Sequence, residues 1–122
     1  YSAQLHNMVA YHDFEGITVH AEEGARILAS SAGKPVLFLR NHGPVVMGTS
    51  LAQAFNLMWL VQRACEVQIT SQALGALQPI TEQALQGCVR DSLNFNPNFG
   101  AGEDSFAAMQ RLIDRIDPSY RA

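Results

Sequence analysis

Arg40-Asn41-His42-Gly43 follows directly on the apolar run Pro35-Val36-Leu37-Phe38-Leu39 and leads at once into a second run, Val45-Val46-Met47-Gly48. A continuous apolar run reads as a strand buried on both faces, and the loop leaving such a strand is where sheets packed with helices build their sites. Pro44 removes one backbone donor and fixes one dihedral, so the turn from Asn41 to Pro44 is stiff and its histidine is held. An isolated histidine is ordinarily structural; one fixed at a strand end is the first candidate for ligand chemistry, and here that residue is His42.

The other candidates are weaker. His12, Asp13 and Glu15 carry metal-type side chains, yet the turn-like sequence around them has no helical or strand spacing that would converge them, which argues against a local site. His6 and His20 read as surface residues. Zinc sites take three or four protein ligands, so one imidazole alone does not hold the ion firmly. Cys65 and Cys88 fall on separate predicted helices without a partner at metal or redox spacing, and read as buried free thiols. Glu66, three residues after Arg63, is spaced for an ordinary ion pair on a helix surface.

These residues need a frame. Val9 to His12 and Ile17 to Val19 predict a short extended pair about the turn Asp13-Phe14-Glu15-Gly16, with strand structure near 8–19. A helix is expected near 21–32, apolar at Ala25, Ile27, Leu28 and Ala29, charged at Glu22, Glu23 and Arg26, and closed by Gly33. Strands follow near 35–40 and 44–48, and Thr49-Ser50 then caps a long helix near 50–74. Its apolar positions Leu51, Phe55, Met58, Cys65 and Ile69 are joined by Leu57, Trp59, Leu60 and Val61, a face too wide for a simple surface helix. Trp59 therefore fits either a domain core or an interface. Helices near 81–93, capped by Thr81, and near 103–116 flank a loop at 94–100; Phe106, Met109, Leu112, Ile113 and Ile116 predict that the last helix docks. The organisation expected is a sheet-and-helix core over 1–93 with a C-terminal loop and docking helix over 94–122.

A length of 122 residues suffices to bury a real core. Charged residues make up 16% of the chain, below the roughly 25% usual in soluble domains, which predicts apolar surface facing another segment or subunit, hence an oligomer. A net charge of −3 with scattered basic residues lacks the footprint of a nucleic-acid binder. The apolar runs are shorter than the roughly 20 residues that span a bilayer, so no membrane partner is expected. Two cysteines without a bridging pattern fit a cytoplasmic location.

The segment from Lys34 to Gln68, with its strand, Asn-His-Gly turn, second strand and long helix, resembles the class II aldolase/adducin family, and the likeness extends back to Tyr11-His12-Asp13-Phe14-Glu15-Gly16-Ile17 and forward to the tail at 114–122. It implies a three-layer α/β/α domain and, in the enzymes, a divalent metal, usually zinc, bound by three histidines and often a glutamate. His42 matches the last of those histidines; the earlier His-x-His pair has no counterpart in the chain. With Tyr1 opening in mid-pattern, the expectation is the C-terminal portion of a family domain, from a retro-aldol or decarboxylating lyase acting on a small hydroxy-carbonyl substrate and assembled as a homo-oligomer, a tetramer by resemblance. The alternative is a non-catalytic, adducin-like assembly module. Family members can also bring a C-terminal tyrosine to a neighbouring subunit's site, but Tyr120 does not align securely enough to carry that role.

Overall fold

The computed structural model describes residues 1–17, 20–92 and 101–121. The regular elements run in the order β1 (Val9–His12), α1 (Ala21–Ser31), β2 (Val36–Leu39), β3 (Gly43–Val46), α2 (Leu51–Ser71), α3 (Glu82–Ser92) and α4 (Glu103–Ile116), with short 3-10 turns at Ser2–Leu5, Gln72–Leu74 and Pro118–Arg121. The strands form one sheet in the order β1-β2-β3. β1 runs parallel to β2 with Val9 opposite Val36 and His12 opposite Leu39, and β2 runs antiparallel to β3 with Leu39 opposite Gly43.

Side chains alternate across a strand, so each register pair shares a face. One face carries Val36, Val9, Phe38 and Val46, which pack with Leu57, Leu60 and Val61 of α2. The other carries His12, whose ring reaches Ser30 of α1. Helices therefore cover both faces of the sheet, as the apolar continuity of β2 predicts. Val36, Leu37 and Val61 are almost completely buried, and each such side chain contributes roughly 1.5–3 kcal/mol on burial.

The parallel pairing corrects the expected hairpin over 9–19. β1 pairs with β2 across the α1 crossover; Ile17 is 89% exposed, and Thr18 and Val19 lie outside the described residues. The turn after β2 lies one residue earlier than expected, because β2 ends at Leu39 and Gly43 already belongs to β3. Pro44 is tolerated there because β3 is an edge strand.

Glu22 and Glu23 stand in the first turn of α1, where the helix dipole favours acids. Its end is made by Ala32 at φ 50° followed by Gly33 at φ 75°, so the expected glycine is the second left-handed residue and not the first. Ser50 caps α2, its side chain accepting a hydrogen bond from the Gln53 amide. α4 docks against α2 through an edge-to-face contact of Phe106 with Phe55 at 5.5 Å between ring centres. Gly102, at φ 81°, permits this approach: a Cβ there would stand 2.7 Å from the Ala52 carbonyl oxygen. Docking is partial, since Met109, Leu112 and Ile113 stay 41–45% exposed. The expected loop at 94–100 lies outside the described residues.

Cys65 packs against the core as expected, whereas Cys88 is exposed. Arg63 and Glu66 make the expected pair at 2.6 Å. His20 is exposed, but His6 is not a free surface residue: its Nε2 meets Glu82 Oε1 at 3.0 Å and ties the N-terminal turn to α3. Trp59 is 45% exposed and meets the Tyr1 ring edge-on at 5.3 Å.

Candidate functional site

Because His12 and Leu39 are register partners, the parallel strands β1 and β2 end level. The two chains leaving them diverge, one into residues 13–17 and the other into Arg40-Asn41-His42, and a cavity of about 430 Å³ opens between them. His42, His12, Glu15 and Glu23 all line it. A crevice outside the carboxyl ends of parallel strands is the usual ligand position in α/β sheets. A larger cavity of about 560 Å³ beside Met8, Met47 and Asn56 is lined by no histidine, cysteine or acid among the described residues. The chemistry is therefore concentrated at the strand ends.

His42 is held by a tight turn. Its amide donates to the Leu39 carbonyl at 3.0 Å, and Asn41 takes φ 59°. A positive φ at the third position of a four-residue turn belongs to the type II class, and asparagine adopts it more readily than other non-glycine residues. The imidazole is exposed at the rim. Next to it Arg40 lies over the Tyr11 ring at 5.0 Å and pairs with Asp13 at 2.9 Å.

Deeper in the cavity, His12 is only 7% exposed. Its Nδ1 lies 2.9 Å from Ser30 Oγ. Among the described residues its buried Nε2 has no hydrogen-bond partner, and it faces Glu15 Oε1 at 3.6 Å, beyond hydrogen-bond length. Arg26 grips the Glu15 carboxylate through Nε at 2.9 Å and Nη2 at 2.5 Å. This hydrogen bonding, against the opposing effect of burial, holds the Glu15 carboxyl below its ordinary range. Glu23 completes the cluster from the first turn of α1 and is 8% exposed. One donor atom from each of His12, Glu15 and Glu23 lies within 4.8 Å of the others.

The sequence reading set aside a site near His12 and Glu15; the fold brings them together with Glu23. Glu23 reads from sequence as a charged helix position, although it lies one turn before Ile27 on the same helical face. An acid on the face that turns towards the sheet was the available signal. Asp13 lines the cavity but stands outside the converging group, and so does His42.

Residues 1–69, more than half of the chain, match the family described as Class II Aldolase and Adducin N-terminal domain. The chain belongs to the class II aldolase and adducin family. A Pseudomonas aeruginosa protein named for the class 2 aldolases is 36% identical over 117 residues, covering 93% of this chain and 45% of that protein. Alpha-adducin of Rattus norvegicus is 33% identical over 120 residues, covering 88% of this chain and 16% of that protein. The crystal structure of an aldolase II superfamily protein from Pseudomonas syringae superposes with a TM-score of 0.84 at 27% identity, covering 99% of this chain and 49% of that one. The chain thus spans less than half the length of these relatives.

Class II aldolases generally depend on a divalent metal. Among the described residues, His42 belongs to no group of three or more converging histidine, cysteine or acid donors. A metal held there would need two or more further ligands, so His42 by itself does not fit the family's ion and no reaction step is assigned through it. Among the described residues, no helix is long and apolar enough to cross a membrane.

Proposed function

We propose that this chain is the later portion of a divalent-metal-dependent class II aldolase-like lyase, acting by retro-aldol cleavage or decarboxylation on a small hydroxy-carbonyl compound, with His42 as one of several metal ligands. The observation that carries the reading is the fixed Asn41-His42 turn presenting an imidazole at the mouth of the strand-end cavity. Carbon–carbon cleavage of this kind leaves negative charge on a carbonyl oxygen, which is the charge a divalent ion stabilises. This chain contributes the held imidazole and a cavity whose lining includes Asp13 and Arg40; the remaining ligands and the proton-transfer group belong to residues beyond those described or to a neighbouring subunit. In the same reading the protein is cytoplasmic and a homo-oligomer of the family's tetrameric kind. The exposed Leu51, Trp59 and Ile69 of α2 supply apolar surface for assembly.

An adducin-like assembly module is the second reading, favoured by the match to alpha-adducin and by the lack of a three-donor group that includes His42 among the described residues. The discriminating experiment assays the protein for cleavage or decarboxylation of a panel of small hydroxy-carbonyl compounds and their phosphate esters, before and after chelation. Turnover abolished by the chelator and restored by zinc supports the lyase. Complete absence of turnover in metal-loaded protein overturns it in favour of the assembly module.

A further inference from the structure

We propose that His12, Glu15 and Glu23 form a second site, distinct from His42, that binds a divalent transition-metal cation such as Zn²⁺ or Mn²⁺. The decisive feature is the buried His12 Nε2, which no hydrogen-bonding group among the described residues satisfies and which faces a carboxylate oxygen at 3.6 Å. With Nδ1–H donated to Ser30 Oγ, the lone pair of Nε2 points at the negative Glu15 oxygen, an arrangement that repels unless something positive lies between. A proton on Nε2 is the alternative, but at 3.6 Å it would remain a buried donor without an acceptor, itself costly.

A cation answers both problems. Ligands about 2.1 Å from a tetrahedral ion stand about 3.4 Å apart, close to the separation found here. Glu23 supplies a third donor within 4.8 Å of the other two. The Nδ1 bond to Ser30 is the outer support that fixes the tautomer of metal-binding histidines. Arg26 holds Glu15 ionised and oriented: Oε2 accepts from both Nε and Nη2, whereas Oε1, the oxygen that faces His12, takes only a 3.1 Å bond from Nε and keeps a lone pair for the ion. One imidazole with two carboxylates suits borderline divalent ions better than thiolate-seeking ones. The cavity gives the ion a route in.

The test is titration of the chelator-stripped chain with Mn²⁺, followed by electron paramagnetic resonance and by paramagnetic broadening of amide signals. The expected result is one Mn²⁺ bound per chain at this site, with the His12, Glu15 and Ser30 signals broadened and those of α4 unaffected. Glu23→Gln, close in shape to glutamate, and Ser30→Ala should each weaken binding at least about tenfold while circular dichroism stays native. His42→Ala should leave this binding unchanged, so the failure of the lyase reading and the failure of this one are separable. Wild-type affinity weaker than about 1 mM, or affinity indifferent to both Glu23→Gln and Ser30→Ala, would overturn the site. His12→Ala is avoided as sole evidence because removing a buried ring can unfold the domain.

Discussion

His12 and Leu39 are register partners at the last positions of two parallel strands. Because the strands end level, the loop carrying Glu15 and the turn carrying His42 face each other across one cavity. A slip of one residue in β2 would turn Leu37 and Leu39 to the opposite face and carry the His42 turn off the crevice.

The turn geometry predicts how His42 is held. Asn41→Ala places a Cβ residue without a polar side chain at φ 59°, and should cost about 1 kcal/mol, whereas Asn41→Gly should be nearly neutral. Chemical denaturation of the two variants checks this. Equal destabilisation by both would mean that the side chain of Asn41, and not its backbone conformation, holds the turn.

Two glycine substitutions should move stability in opposite directions. Gly102→Ala would push a methyl to 2.7 Å from the Ala52 carbonyl at φ 81°, and should cost about 1–3 kcal/mol with partial undocking of α4. Gly24→Ala meets nothing within 4 Å inside α1 and should gain about 0.5–1 kcal/mol. Thermal melts compare them directly, and a stabilised Gly102→Ala would contradict the α2–α4 packing.

The core centres on the α2 face of the sheet. Val61→Ala on that face and Leu37→Ala on the opposite face of β2 should each destabilise strongly, Leu37→Ala by about 2–5 kcal/mol, since both side chains are 1% exposed. Leu74→Ala, at 83% exposure, should change the denaturation midpoint little.

The junction between the N-terminal turn and α3 carries a pH signature. Hydrogen bonds from Gln86 and then His6 hold the Glu82 carboxyl below its ordinary 4.5. A carboxyl lowered on folding stabilises the fold above its unfolded value, and that contribution disappears as pH falls through the folded value. The Glu82 carboxyl carbon should therefore titrate below 4.5 by NMR in wild type and move upward in Gln86→Ala. An unchanged midpoint in that variant would remove Gln86 as the principal cause.

The helices were legible because their signals are local. Ser50 as cap, the apolar spacing in α2 and the Phe106 stripe all act within a few residues, and the bounds follow to within a few positions. Partnership in the sheet was not legible, because β1 meets β2 only after α1 has crossed back; the turn-prone 13–16 segment suggested a hairpin in its place. For the same reason the turn that holds His42 was legible and the convergence on His12 was not. The turn at His42 is written in consecutive residues, while Glu15 and Glu23 are brought to His12 by the tertiary fold. Ala32 in the left-handed position is a smaller case: Gly33 follows it so closely that the sequence favours glycine as the first residue to turn.

The most direct test of the central claim compares metal content between the wild-type protein and its His42→Ala variant, by elemental analysis of samples whose intact masses are measured in parallel. If His42 is a ligand in a class II aldolase-like centre, the variant should hold one divalent ion fewer per chain than the wild type. Equal metal content in the two proteins would contradict the assignment.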